Sequence, residues 1–198
     1  ITVRPLVLMD GGHEVNEVFF EDVAVQADQL VHEEGRGWTV AKFLLGHERM
    51  NTARIGASRR ELETLKAYAA QQPKDGRPLL DDTRFRDKVS RLEIELMALA
   101  MTNLRFLDSL RGGRPPGAEV SMLKIKGTEI QQSLTELMMQ AAGPLAQATE
   151  PGDVADDDDR FAASLARRYC NFRKTTIYAG SNEIQRNIIA KRVLGLPS

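Results

Sequence analysis

The chain has 198 residues, enough for a domain with a substantial apolar core. Its 27 basic and 28 acidic residues nearly cancel, which excludes a strong overall field directing it to nucleic acid or to an anionic membrane. The single cysteine, Cys170, excludes an internal disulfide and is typical of a reducing compartment, so we expect a cytoplasmic location. No apolar run approaches the length needed to cross a bilayer, and no membrane association is expected.

The first 34 residues have the pattern of β-strands. Apolar and polar residues alternate, the pair Gly11–Gly12 marks a turn, and the segment EVNEVFFEDVAV is rich in Val and Phe. These features predict two or three strands. Because so few strands cannot cover their own apolar face, we expect residues 1–34 to be the tail of a β domain whose earlier part lies outside this chain.

From Gly37 onward the spacing of apolar residues becomes that of helices. Between Val40 and Tyr68 they recur at helical intervals without an interrupting proline, which predicts one long helix. The residues PKDGRP end this helix, because proline and glycine disfavour its continuation. Further helices are predicted at about 82–111, 118–142 and 160–172, with a last one beginning near Ser181.

Long helices joined by loops rich in proline and glycine favour an up-and-down bundle. The predicted fold is therefore mainly α, with a helical bundle over residues 35–198 preceded by the last strands of a truncated β domain. No metal site is expected, because the histidines are dispersed and no cysteine cluster accompanies them. The acidic run at 156–159 is typical of a solvated helix start, where the helix dipole favours carboxylates.

Three segments, in order along the chain, resemble the flavin-dependent acyl-CoA dehydrogenases. EVNEVFFEDVAVQADQLVHEEGRGWTVAKFLL is similar to the passage from that family's middle β domain into its C-terminal helical domain. LLGHERMNTARIG resembles the part of the first helix that faces the active site, and IYAGSNEIQRNIIAKRVLGL resembles the closing signature. The resemblance covers essentially the whole chain. It implies FAD and an acyl-CoA bound between the β domain and the helices, with neighbouring subunits completing the flavin site.

The implied reaction is α,β-dehydrogenation, in which a carboxylate takes a proton from the α-carbon of the thioester and a hydride leaves the β-carbon for the flavin. Preorganised donors must polarise the thioester oxygen. In the family, one donor is the backbone N–H between Tyr and Gly of the closing signature. Here that residue is Ala179. Many members carry a catalytic glutamate at this position, whereas this chain keeps only the N–H.

The catalytic base must then come from another segment. Some branches of the family place it one residue before a recurring arginine in the first helix, where this chain has Glu48 followed by Arg49. We therefore expect Glu48 to be the base, in an apolar environment that raises its pKa. Arg49 is expected to orient the base or to contact the acyl-CoA. The alternative is an ordinary solvated Glu48–Arg49 pair.

The closing signature supplies candidates on both the substrate and the flavin side. Tyr178, Ala179 and Gly180 are expected to line the thioester pocket, although a core aromatic at a turn explains Tyr178 equally well. Ser181 takes the place of a flavin-contacting threonine, and it also fits a helix N-cap. Glu183 replaces a glutamine that contacts the flavin in some members, which puts that contact in doubt.

Two other segments match the family's flavin motifs in part. Gln140 and Gly143 match the QxxGG segment near the flavin adenosine, although Pro144 replaces the second glycine and helix packing explains both residues as well. At PKDGRPLL, other residues replace the family's Arg-x-x-Phe-Gly motif before Gly76, so its contact with a neighbour's flavin pyrophosphate is altered or lost.

The functional prediction is a subunit of an FAD-dependent acyl-CoA dehydrogenase that passes electrons to an electron-transfer flavoprotein. It is expected to form a homo- or hetero-oligomer, either a dimer or a tetramer. One alternative is a non-catalytic or flavin-holding subunit of a mixed oligomer, with Ala179 as a sign of a degraded site. Another is a related flavoprotein whose elimination reaction needs no base at the α-proton. The departures at Gly76 and Ala179 favour bulky or dicarboxylic acyl groups.

Overall fold

A β-hairpin followed by an antiparallel helical bundle makes up the fold in a computed structural model. The structure describes residues 1–48, 53–114, 117–147 and 157–197, with the main chain alone for 45–48 and 157–159. Strands β1, Thr2–Val7, and β2, His13–Phe19, form the hairpin. The helices of the described ranges are α1 Gly37–Glu48, α2 Ile55–Gln71, α3 Thr83–Arg111, α4 Ser121–Ala142, α5 Asp157–Phe172 and α6 Asn182–Arg192. A second small hairpin, β3 Pro73–Lys74 with β4 Arg77–Pro78, joins α2 to α3.

The N-terminal hairpin is exposed on both faces and contacts the bundle through polar groups. Every residue of β1 and β2 is exposed. In the turn between the strands, the Asp10 carbonyl oxygen accepts a hydrogen bond from Arg167 Nε at 3.1 Å, and Asp10 Oδ2 accepts one from Asn171 Nδ2 at 2.8 Å. Two of the expected strands are thus confirmed. Residues 20–34, all of them described, form no third strand and contain a 3-10 turn at Ala27–Gln29.

The expectation of one long helix from Val40 to Tyr68 is wrong, because the structure divides this segment into α1 and α2. Arg54, the residue before α2, has φ of +45°, a left-handed conformation that does not occur within a right-handed helix. In the sequence, apolar residues recur at helical intervals on both sides of the break. Periodicity alone therefore cannot reveal the interruption.

Helix α4 lies at the centre of the bundle and contacts α2, α3, α5 and α6. Lys88, near the start of α3, donates to Gln140 Oε1, near the end of α4, at 2.8 Å, so the two helices run antiparallel. The core contains Leu62, Leu65 and Ala69 of α2, Phe85, Val89, Leu92, Leu96 and Leu99 of α3, Leu123, Ile130, Leu134, Leu137 and Met138 of α4, and Leu165 of α5. These contacts confirm the predicted mainly α, up-and-down bundle, whereas the domain boundary after residue 34 stays a prediction.

Two features are absent from the described ranges, a membrane-spanning helix and a metal-binding cluster. None of the helices there is both long and apolar enough to cross a bilayer. Within the same ranges, no group of three or more His, Cys, Asp or Glu residues could hold a metal ion.

Candidate functional site

The closing turn, residues 177–181, joins the 3-10 turn Arg173–Thr176 to α6. Two consecutive residues in it have positive φ, +52° at Ala179 and +79° at Gly180. Glycine adopts this conformation readily, whereas a residue with a Cβ does so at a cost of roughly 1–2 kcal/mol. Strained residues of this kind cluster at functional sites, provided that the surrounding structure holds them in place.

The strained turn presents an unpaired donor. The N–H groups of Ile177 and Tyr178 both donate to the carbonyl oxygen of Lys174, at 2.9 and 3.0 Å, but no acceptor in the described part of the chain takes the N–H of Ala179. The side chains of Ile177 and Tyr178 are exposed beside it. The turn therefore combines a free backbone donor with exposed apolar surface.

Ser181 ends the turn by capping α6. Its Oγ accepts a hydrogen bond from the N–H of Ile184 at 3.4 Å, which confirms the N-cap interpretation. The backbone N–H of Glu183 holds the pKa of the Glu183 carboxyl below its usual range, and the Ser181 hydroxyl lowers it further. Local partners thus engage both side chains, and the contacts of Ser181 and Glu183 with a flavin stay predictions.

A buried lysine holds the first residue of α6. Lys124 of α4 is 0% exposed, and its Nζ donates to Oδ1 of Asn182 at 2.8 Å. Asn182 Nδ2 donates in turn to Oγ1 of Thr128 at 3.2 Å. Burial lowers the pKa of Lys124, and the negative charge of Glu183 opposes this shift. This network attaches the start of α6 to the central helix α4, and it therefore also holds the end of the closing turn in position.

Lys124 was not predicted as a site residue, because a lysine on a helix is usually solvated. A signal was nevertheless present along α4. Five of its polar residues recur at helical intervals on one face, and these five are buried: Ser121, Lys124, Thr128, Gln131 and Thr135. A row of this kind predicts an internal polar contact with another element.

Gln140 and Gly143 lie at the other end of α4, about 24 Å along the helix axis from Lys124. Gln140 accepts from Lys88 and donates to Glu136 Oε1 at 3.2 Å, so its side chain joins polar contacts on the surface. Gly143 ends α4 with φ of +60°, and its N–H donates to the carbonyl oxygen of Met139. The structure thus separates this pair from the closing turn of the same chain, and its contact with flavin adenosine stays a prediction.

The predicted base lies in helix α1. The structure describes the main chain of Glu48, but its side chain and the whole of Arg49 lie outside the described residues. The roles of both residues therefore stay predictions. We expect an apolar environment around Glu48, but Phe43 and Leu44, two apolar residues shortly before it, are both exposed within this chain.

The exposed closing turn fits one edge of a flavin. A flavin ring system is flat and largely apolar, with hydrogen-bond acceptors along its margin. Ile177 and Tyr178 offer exposed apolar surface, and the N–H of Ala179 is an unpaired donor beside them. The apolar side chains of this turn would lie against the ring of FAD, and the N–H of Ala179 would be left for the adjoining acyl thioester.

Comparison with known sequences identifies the family. The family model described as acyl-CoA dehydrogenase, C-terminal domain, matches residues 35–194. Acyl-CoA dehydrogenase IpdE1 of Mycobacterium tuberculosis is 35% identical over 200 residues, which cover 100% of this chain and 48% of that protein. The human mitochondrial short-chain specific acyl-CoA dehydrogenase is 27% identical over 190 residues, covering 92% of this chain and 42% of that protein. The chain thus spans about half the length of the curated relatives it matches.

Solved structures show the same fold. The ChsE4-ChsE5 complex from Mycobacterium tuberculosis matches with a TM-score of 0.80 at 26% identity, over 100% of this chain and 50% of the other. A glutaryl-coenzyme A dehydrogenase in complex with glutaryl-CoA matches with a TM-score of 0.80 at 20% identity, over 99% of this chain and 48% of the other, which shows the fold alone. The chain belongs to the acyl-CoA dehydrogenase family, and residues 35–194 correspond to that family's C-terminal domain.

Proposed function

We propose that this chain forms one wall of the active site of an FAD-dependent acyl-CoA dehydrogenase, with Glu48 as the base and the Ala179 N–H as a donor to the thioester oxygen. The observation that carries the proposal is the unpaired N–H of Ala179 in an exposed, strained turn. Membership of the family supports the reaction class.

In the proposed mechanism, the N–H of Ala179 stabilises the negative charge that develops on the thioester oxygen. A donor held in place beforehand costs no reorganisation during the reaction, and losing one such donor typically lowers the rate by about 10²–10³. The Ser181 cap and the contact between Lys124 and Asn182 keep the turn in position.

Glu48 takes the proton from the α-carbon of the substrate. A carboxylate that takes a proton from carbon works best when its pKa is raised towards the working pH, as an apolar surrounding in the assembled site would do. Bound FAD supplies the acceptor for the hydride that leaves the β-carbon. We propose an electron-transfer flavoprotein as the protein that then reoxidises the enzyme.

Relatives of different substrate class match this chain about equally. The short-chain specific human enzyme is 27% identical and the long-chain specific pig enzyme 26% identical. We therefore propose an acyl-CoA thioester as substrate without assigning its chain length. The preference for bulky or dicarboxylic acyl groups stays a prediction.

The test replaces the proposed base, Glu48, in the full-length protein. Glu48→Gln is expected to slow anaerobic bleaching of the flavin by acyl-CoA by about 10²–10⁴-fold, the usual contribution of a general base. Glu34→Gln, at an exposed position before α1, is the matched control and should react at the unaltered rate. An unaltered rate in Glu48→Gln would show that another group removes the proton.

A non-catalytic or flavin-holding subunit is the second candidate, and the alanine at 179 favours it, because many relatives carry the catalytic carboxylate there. The ChsE4-ChsE5 complex shows that a relative assembles with a different chain. If the purified protein holds no flavin alone or with a co-purified chain, a structural role replaces the catalytic one. A bound flavin that acyl-CoA does not bleach points to a flavin-holding role.

A further inference from the structure

The closing turn depends on contacts at its two ends. Residues 177–180 are all exposed within this chain, so their own packing does not hold them. Two of them, Ala179 and Gly180, have positive φ, and strained backbone of this kind persists only where the surrounding structure holds it. At the C-terminal end of the turn, the contact between Lys124 and Asn182 does so.

The side chain of Gln132 makes the contact at the N-terminal end of the turn. Gln132 is half-buried on α4, and its Nε2 donates to the carbonyl oxygens of Phe172 at 3.3 Å and Arg173 at 3.2 Å. The same nitrogen lies 3.2 Å from Oγ1 of Thr176, the last residue before the closing turn. Carbonyl groups at the end of a helix have no partner within it, so Gln132 supplies donors that the end of α5 lacks.

Arg173 contacts α4 in return. Its Nη2 donates to the carbonyl oxygen of Gln132 at 3.2 Å and to Oγ1 of Thr135 at 3.1 Å. Its Nε donates to the carbonyl oxygen of Tyr169 at 3.1 Å, and its guanidinium carbon lies 4.0 Å from the centre of the Tyr169 ring. The side chains of Gln132 and Arg173 therefore each bond to the main chain of the other residue. We call this arrangement the Gln132–Arg173 pair.

Helix α4 thus holds both ends of the closing turn. Lys124 and Gln132 lie eight residues apart on that helix, which is about 12 Å along its axis. Lys124 bonds to Asn182, the first residue after the turn. Gln132 bonds to Thr176, the last residue before it. Only the five residues of the turn lie between these two contacts, so a movement at either end displaces the turn.

We propose that Gln132 and Arg173 are positioning residues for the reaction, because they hold the closing turn where the Ala179 N–H meets the thioester oxygen. This inference rests on the proposed function, in which that N–H is the donor. A misplacement of about 1 Å can lower a rate by about 10². Loss of the pair should slow flavin reduction much more than it weakens acyl-CoA binding, since the donor matters most when charge develops on the oxygen.

Hydrogen exchange tests whether the pair holds the turn, without reference to activity. The N–H groups of Ile177 and Tyr178 both donate to the carbonyl oxygen of Lys174, so their protection reports the order of this part of the chain. Gln132→Met keeps the length of the side chain but removes its donors. In the full-length variant, mass spectrometry should show about tenfold faster exchange in a peptide that contains Ile177 and Tyr178.

The matched control removes a contact between two other helices. Lys66 Nζ donates to Oε1 of Glu93 at 2.7 Å and so joins α2 to α3. Lys66→Met should leave the exchange of the same peptide unaltered. The proposal is overturned if Gln132→Met leaves that exchange unaltered, or if both variants raise it equally, which would show a general loosening of the bundle.

Flavin bleaching tests whether the position of the turn matters to the reaction. The probe is the thioester that bleaches the unaltered protein fastest among straight, branched and ring-bearing acyl-CoAs. In Gln132→Met and in Arg173→Met the limiting rate should fall about tenfold or more, whereas the concentration that gives half of that rate should change less than about twofold. Arg173→Lys keeps the charge without the fork of donors and should lie between. Lys66→Met should change neither quantity.

The outcomes distinguish this inference from the proposed function. If the unaltered protein bleaches but Gln132→Met reaches the same limiting rate, the positioning role is wrong although the function stands. If no thioester bleaches the flavin of the unaltered protein, the proposed function fails and the role in the reaction fails with it, while the exchange result still shows whether the pair holds the turn. Because the two residues bond to each other, the double variant of Gln132→Met and Arg173→Met should be about as slow as the slower single variant, and losses that multiply would contradict a shared role.

Discussion

The Nζ atom of Lys124 lies 2.8 Å from Oδ1 of Asn182, and this contact joins the centre of the bundle to the first residue of α6. Lys124 is fully buried, so its ammonium group has lost its hydration and depends on that amide oxygen. Asn182 follows the Ser181 cap and the strained Ala179 closely along the chain. One hydrogen bond therefore serves both the stability of the core and the position of the closing turn.

Removing Asn182 should cost more stability than removing the charge of Lys124. Asn182→Ala leaves a buried ammonium without its acceptor and should lower the free energy of unfolding by about 2–3 kcal/mol. Lys124→Met removes the charge itself and leaves Asn182 bonded to Thr128, so we expect a loss of about 1 kcal/mol. Urea unfolding of both variants measures the difference. Asn187→Ala, at an exposed position of α6, is the control. Equal losses of stability in Asn182→Ala and Lys124→Met would show that the buried ammonium group does not depend on the Asn182 oxygen.

The stability contributed by Lys124 should depend on pH in the alkaline range. Burial lowers the pKa of Lys124 from its ordinary value of 10.5, so in this range the unfolded chain binds the proton more tightly than the folded one. The unaltered protein must then gain stability relative to Lys124→Met as the pH rises from the folded pKa towards 10.5. Urea unfolding of both proteins at several alkaline pH values gives this difference. A difference that falls with rising pH would show that the folded site favours the charged form.

Two glycine positions should respond in opposite directions to the same substitution. A Cβ at Gly127 of α4 would lie 2.6 Å from Cα and 2.9 Å from the carbonyl oxygen of Ala53, at the break between α1 and α2. Gly127→Ala should therefore destabilise the protein by about 1–3 kcal/mol, although alanine is the better helix former. Gly56→Ala in α2, where nothing lies within 4 Å, should stabilise it by up to about 1 kcal/mol. The melting temperatures of both variants test this prediction. If both substitutions stabilise the protein, Ala53 moves aside without cost.

The contact between Gly127 and Ala53 also shows where sequence reasoning reaches its limit. The predicted helix at about 82–111 agrees with α3, whose start is capped by Asp82 and whose end is followed by Gly112. The break between α1 and α2 has no such signal, since Arg54 is not a residue that favours left-handed backbone. The role of Lys124 likewise depends on Asn182, a residue far along the chain. The helix break and the partner of Lys124 therefore depend on contacts between elements, which the spacing of residues along the chain does not predict.

The hairpin contact should be visible as a perturbed carboxyl titration. A hydrogen bond from Asn171 is the largest cause that holds the pKa of Asp10 below its ordinary value of 3.8. The stabilisation from this carboxylate is present above 3.8 and is lost as the pH falls through the lower, folded pKa. The N–H of Gly12 donates to Asp10 Oδ1 at 3.1 Å, so its NMR chemical shift reports the titration. In Asn171→Ala the midpoint should move up towards 3.8, and an unchanged midpoint would mean that Asn171 does not carry the shift.

The closing turn allows a paired test of strain and function at adjacent residues. Ala179→Gly relieves a positive φ of +52° and should stabilise the protein by about 0.5 kcal/mol, after allowing for the greater entropy of an unfolded glycine. Gly180→Ala places a Cβ 2.6 Å from Nε2 of Gln185 at φ of +79° and should destabilise it by about 1–3 kcal/mol. Denaturant unfolding of the two variants gives both values.

The same two variants distinguish the contribution of the Ala179 N–H to activity from that of its methyl group. Ala179→Gly keeps the N–H that we propose as a donor to the thioester oxygen, so flavin bleaching by acyl-CoA should keep a rate within about threefold of the unaltered protein. Gly180→Ala displaces Gln185, whose Nε2 donates to the carbonyl oxygen of Gly180 at 3.4 Å, and should slow bleaching by shifting the turn. If Ala179→Gly becomes more stable and yet loses activity about tenfold or more, the methyl group of Ala179, and not its N–H, positions the substrate.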